Sequence, residues 1–124
     1  MKALVLFAHG SRDAAWAQPF DSLSAQLRLL LPQTPIAVAY LELMQPGLPE
    51  CVEQLIGQGA SVITVVPVFF AQGRHLRHEL PAMIETLRTA WPEHSIDVTP
   101  PIGEQPEVLA AIAACIARLA APGA

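Results

Sequence analysis

Two short segments concentrate the side chains able to do acid–base or metal chemistry. HGSRD at 9–13 carries His9 and Arg12, and AQGRHLRHE at 71–79 carries Arg74, His75, Arg77 and His78. Three of the four histidines and three of the seven basic residues of the chain thus fall in two places. A third segment, ELMQPG at 42–47, adds Glu42 and Gln45. Two imidazoles and a carboxylate form a donor set that a divalent first-row cation accepts, at about 2.0–2.2 Å for zinc as a guide. Arg12, Arg74 and Arg77 offer guanidinium forks, which match carboxylates or phosphates, so an anionic ligand is expected at the same rim. Taken singly, His9 reads as a hydrogen-bonded loop histidine, and Arg77 as a solvated arginine. The metal reading comes from pairing His9 with His75.

That pairing depends on the elements carrying the residues. Short apolar or β-branched runs at 3–8, 35–41, 61–69 and 95–100 predict four strands. Between and after them, apolar residues recur at helical spacing: Phe20, Leu23, Leu27, Leu30 and Leu31; Val52, Leu55 and Ile56; Met83, Ile84, Leu87 and Trp91; Val108, Ile112, Ile116 and Leu119. These predict four helices. Strict alternation of apolar strands and amphipathic helices implies an α/β fold, a four-stranded parallel sheet with helices on both faces. Right-handed crossovers make a flavodoxin-like order such as 2-1-3-4 the natural arrangement. Pro19, Pro49, Pro81 and Pro106 are expected near the first turns of the helices. Pro67 inside the third strand conflicts with a central position and predicts a bulge or distortion. Ligands of such sheets bind beyond the carboxyl ends of the strands, where HGSRD, ELMQPG, AQGRH and PIGEQP should all emerge. His78 and His94 read as surface residues, and one of Phe69 and Phe70 should face the core while the other offers an apolar wall to the site.

With 124 residues, 52% of them hydrophobic and 15% charged, the chain reads as one globular domain over 1–124. A formal net charge of -4 gives no general attraction to nucleic acid or anionic lipid. Cys51 and Cys115 are far apart within helical stretches and read as buried reduced thiols. The opening apolar run meets His9 and Arg12 too early for a signal peptide, and no stretch reaches the ~20 apolar residues of a membrane span. The cytoplasm is the expected location. The closing AAPGA at 120–124 reads as a frayed end.

HGSR at 9–12, ELMQP at 42–46 and GASVITVVPVFFAQGRH at 59–75 resemble the short sirohydrochlorin chelatases of the CbiX type over nearly the whole chain. The resemblance implies the class II chelatase fold and insertion of a divalent metal into sirohydrochlorin, a tetrapyrrole with eight carboxylates, in the making of cobalamin or sirohaem. It implies cobalt as the metal substrate, with iron or nickel as alternatives, no organic cofactor, and a homodimer enclosing the macrocycle. By the same resemblance His9 and His75 are the metal-binding histidines, His9 is also a proton acceptor, and Glu42 assists at the metal. Gln45 and the segment Phe70, Ala71, Gln72, Gly73, Arg74 and His75 correspond to tetrapyrrole contacts; separately, the guanidinium chemistry of Arg12 and the other arginines would let them hold peripheral carboxylates. Relatives often carry Asp where this chain has Glu79, and the Gln45 position can be acidic.

The residue chemistry is consistent with that identity, because metallation must remove two pyrrole protons, strip water from the cation and deliver it to one ring face. A neutral imidazole, with an unperturbed pKa of about 6.5, can hold metal or accept a proton. A non-catalytic metal or tetrapyrrole carrier using the same residues is the alternative. Phosphoryl transfer through His9 would call for a richer phosphate loop than HGSRD.

Overall fold

The structure, a computed structural model, describes residues 1–121; the frayed-end expectation for 122–124 lies outside the described residues. Four strands, β1 (Lys2–Ala8), β2 (Ile36–Tyr40), β3 (Val62–Pro67) and β4 (Ser95–Val98), alternate with α1 (Gln18–Leu30), α2 (Leu48–Gly57), α3 (Arg74–Ala90) and α4 (Pro106–Ala120). The sheet has the order β2-β1-β3-β4, and all its pairs are parallel. This is the expected α/β fold and strand order. No described helix is long and apolar enough to cross a membrane.

Successive strand residues point to opposite faces, and the burial follows. Ala3, Val5 and Phe7 of β1 join Ala39, Ile63, Val65 and Ile96 in a core closed by Leu48, Val52 and Leu55 of α2 and Leu76, Leu80, Ile84 and Leu87 of α3. Ala8 and Tyr40 instead meet Phe20 of α1, so helices cover both faces. Each fully buried Leu, Ile, Val or Phe contributes about 1.5–3 kcal/mol, which places the strength of the fold on the α2/α3 side. Arg88 ties the far end of α3 to the sheet, its Nε donating to the carbonyl of Ile96 at 2.8 Å and its Nη2 meeting Asp97 at 3.2 Å.

Several local expectations are corrected. Pro67 distorts nothing: the β1–β3 register runs unbroken to the Phe7–Pro67 pair, and the next N–H, of Val68, donates to Phe7 at 2.8 Å. Alternation turns the absent N–H of Pro67 toward β4, whose pairing closes with the Thr99 N–H donating to Val65 at 3.0 Å, so the proline falls where the β3–β4 ladder ends. Pro81 does not begin a helix. It lies inside α3, which starts seven residues earlier after Gly73 in an extended N-cap conformation. Pro19, Pro49 and Pro106 do sit in first turns. Leu30 of α1 is exposed, and α4 buries none of its residues, leaving Leu109, Ile116 and Leu119 on the surface. His94 is half-buried, packs edge-on against Trp91 at 5.8 Å, and has a covered Nδ1 without a partner.

The thiols also divide. Cys51 is buried, and burial raises its pKa to about 11, whereas Cys115 is exposed. The native protein at pH 8 should therefore release one equivalent of chromophore from a disulfide reagent quickly, and the second only on unfolding. Two fast thiols would contradict the packing of α2.

Candidate functional site

The site begins where β1 and β2 end. Their pairing continues past the strands: the N–H of Leu41 donates to the carbonyl of Ala8 at 2.8 Å, and that of Glu42 to His9 at 3.1 Å. His9 and Glu42 are therefore neighbours through backbone bonding before their side chains are considered. Gly10 follows with φ +93, and a Cβ built there would collide with the carbonyl oxygen of Glu42. Only glycine combines that dihedral with that approach. Leu43 also has positive φ, at 67, and the N–H of Tyr40 donates to the carbonyl of Pro46 at 2.9 Å, which folds ELMQP back on its own strand.

The second wall comes from β3. Phe69 is buried, with its ring 5.9 Å edge-on from Phe7 and 4.3 Å from the imidazole of His9. One face of His9 is thus fixed against an apolar ring. Phe70 turns outward and is 66% exposed, as expected of one member of the pair. The N–H of Gly103 donates to the carbonyl of Phe69 at 2.9 Å, and a Cβ at Gly103 would strike the backbone of Phe70. Gly103, which was not singled out in the sequence, clamps this loop against the one after β4; its only signal was a glycine in PIGEQP.

Gly73 then starts α3, so Arg74 and His75 are helical and not part of a loop. A cleft of about 360 Å³ is lined by His9, Leu41, Glu42, Gly73, His75, Leu76 and Glu79. His9, Glu42 and His75 do share one cavity. Glu79 joins them, its Oε2 2.7 Å from Nε2 of His75; the spacing of four residues would have flagged it had the helix start been recognised. Among the described residues no group of three or more His, Cys, Asp or Glu is close enough together to hold a metal ion. The donors face an open cleft from both sides without forming a closed coordination shell.

The other expected contacts disperse. Gln45 lines a separate cleft of about 340 Å³ with Asp21, Ser24, Arg28 and Tyr40, on the α1 side. There, burial first and the Asp21 carboxylate second push the Tyr40 phenol upward. Gln72 and Arg77 line a third cleft with Thr99 and Glu104. Arg12, Phe70, Ala71 and Arg74 are exposed and line none of these three clefts. Arg74, His75, Arg77 and His78 all crowd the start of α3, whose first turn holds no acidic residue. The helix dipole disfavours cations there, so Arg74 and Arg77 stand against it, with Glu79, paired to His75, as the nearest acid on the helix.

The CbiX family model matches residues 3–119. The chain belongs to the CbiX family. A crystal structure described as a cobalamin (vitamin B12) biosynthesis CbiX protein from Marinobacter aquaeolei VT8 is 38% identical, covers 96% of this chain and 97% of its own, and superposes with a TM-score of 0.84. SirB from Bacillus subtilis with Fe3+ superposes at 0.80 and 26% identity over 98% of this chain and 48% of SirB. The sirohydrochlorin cobaltochelatase of Sulfolobus acidocaldarius is 30% identical over 83% of this chain and 80% of its own length. The chain spans 59% of the length of the corresponding Methanococcus aeolicus enzyme and about half of SirB.

In this CbiX chain the Gly10–Glu42 approach can be isolated from backbone strain alone. Gly59 has φ +102 with open space around its Cβ position. Gly59→Ala should cost about 1–2 kcal/mol of urea-unfolding stability, and Gly10→Ala clearly more, because the clash is added to the strain. Equal losses would show that the two loops are not held by this contact.

Proposed function

We propose that this protein inserts a divalent metal, cobalt first and iron or nickel as alternatives, into sirohydrochlorin. The observation that carries the reading is the convergence of His9, Glu42 and His75 on one cleft at the carboxyl edge of the sheet. Related proteins bear the names cobaltochelatase and ferrochelatase, which leaves the choice between metals to experiment. Imidazole and carboxylate donors accept all three cations along one affinity order.

On this reading the roles are as follows. His9 and His75 hold the incoming cation, with Glu42 adding negative charge, and the open cleft leaves coordination positions for water and then for pyrrole nitrogen. Few protein ligands suit a cation in transit, since the site must give it up. His9, its ring steadied by Phe69, accepts a pyrrole proton when it is not bound to metal. The arginines at the start of α3, with Arg12, face the peripheral carboxylates, and Phe70 offers an apolar surface to the macrocycle. A carrier would use the same cleft without turnover.

Single changes His9→Ala and His75→Ala should each slow cobalt insertion at least about 100-fold while leaving the circular dichroism melt unchanged. Insertion is followed by the visible spectrum of sirohydrochlorin against the spontaneous rate. Near-wild-type rates in both variants would refute the site, and a wild type no faster than the spontaneous reaction would leave the carrier reading.

We propose further that two copies assemble. Leu109, Ile116 and Leu119 leave an apolar face on α4 that the described chain does not cover, and SirB is about twice the length of the part matched here. A second copy is the occupant of that face. Wild type should elute at twice the chain mass in gel filtration with light scattering, and Leu119→Glu should shift it to the monomer; a monomeric wild type at micromolar concentration removes the proposal.

A further inference from the structure

Nε2 of His75 lies 2.7 Å from Oε2 of Glu79, four residues further along α3. An ionised carboxylate only accepts, so the hydrogen in this contact belongs to the imidazole and Nε2 is the protonated nitrogen. In a neutral ring the lone pair then sits on Nδ1. Both residues line the cleft that also holds His9 and Glu42.

Helix stability does not account for the pair. His75 is the second residue of α3, where the dipole opposes positive charge. An acid placed C-terminal to its basic partner is the less favourable order for residues four apart. The side chain of His75 is 90% exposed, so the contact is open to solvent screening and adds little to folding. Glu79 is the better anchored of the two: its side chain is 39% exposed, and it stands between the buried Leu76 and Leu80 on the same helix. The more enclosed partner is thus the one placed to orient the more exposed one.

We propose that Glu79 is a positioning residue that sets the ring orientation and the Nε2–H tautomer of His75, so that Nδ1 is the nitrogen presented to a divalent cation. This rests on the metal-insertion reading and assigns a role to a residue outside its donor set. Histidine ligands commonly donate their second ring nitrogen to a carboxylate, and loss of such a partner weakens metal binding about 10–100-fold.

Two readouts test it without tetrapyrrole. Long-range proton–nitrogen correlation spectra of histidine-labelled protein, assigned with His75→Ala, should show the Nε2–H tautomer in wild type and in Glu79→Gln, whose amide oxygen still accepts. Glu79→Ala should give a tautomer mixture. Cobalt titration by visible absorption should show affinity about 10–100-fold weaker in Glu79→Ala, largely rescued in Glu79→Gln, with equal thermal melts. An Nδ1–H tautomer in wild type, cobalt affinity unchanged in Glu79→Ala, or no cobalt binding by wild type would each overturn the inference. A wild type that responds to Glu79 in both readouts yet inserts no metal supports the inference and overturns the insertion reading alone.

Discussion

The site depends on a backbone contact. Because β1 and β2 keep pairing beyond their last strand residues, through Leu41 to Ala8 and Glu42 to His9, an imidazole and a carboxylate from separate crossovers stand side by side. The contact requires Gly10, since the carbonyl of Glu42 occupies the space of any larger residue. Side-chain chemistry here is built on a main-chain constraint. Parallel strands favour such an arrangement because their carboxyl ends all open to the same edge.

A second constraint comes from the other half of the sheet. Phe69 is held at the end of β3 by the Gly103 N–H and meets the ring of His9, so the position of His9 is coupled to loops after three of the four strands. His75 is held differently. It rides on the first turn of a helix that places Arg74 and Arg77 against its own dipole. Local rules are broken at this point while the rest of the fold obeys them, and such breaks concentrate where a ligand compensates for them.

Much of this was legible in the residues. Period-two and period-3.6 patterns gave the strands and helices, and loop composition marked the correct edge. What failed was punctuation. Pro81 looked like a helix start, but Gly73 alone opens the helix, and the error hid the i, i+4 relation of His75 to Glu79. Pro67 looked like a fault, yet a parallel central strand tolerates proline where its neighbour has ended, and strand ends are set by tertiary pairing. Gln45 sits five residues after the buried end of β2, and the return of the loop at Pro46 to Tyr40 carries it to the α1 face. Spacing along the chain cannot report that reversal.

The size of the cleft bears on the proposed assembly of two copies. Pockets that enclose drug-sized ligands run to about 300–1,000 Å³, and this one, at about 360 Å³, is near the low end while a tetrapyrrole is larger than most such ligands. One copy can therefore surround a cation and one edge of the ring, but not the whole disc. Two apolar surfaces stay uncovered among the described residues: Phe70 stands outward after β3, and α4 exposes Leu109, Ile116 and Leu119. α4 covers only Val108 and Ile112 in part within its own chain, and an amphipathic helix gains most of its stability from what it packs against. Under the proposed assembly, the apolar side of α4 is the surface that a second copy covers, while enclosure of a macrocycle is a separate demand made at the cleft, whose lining includes no residue of α4.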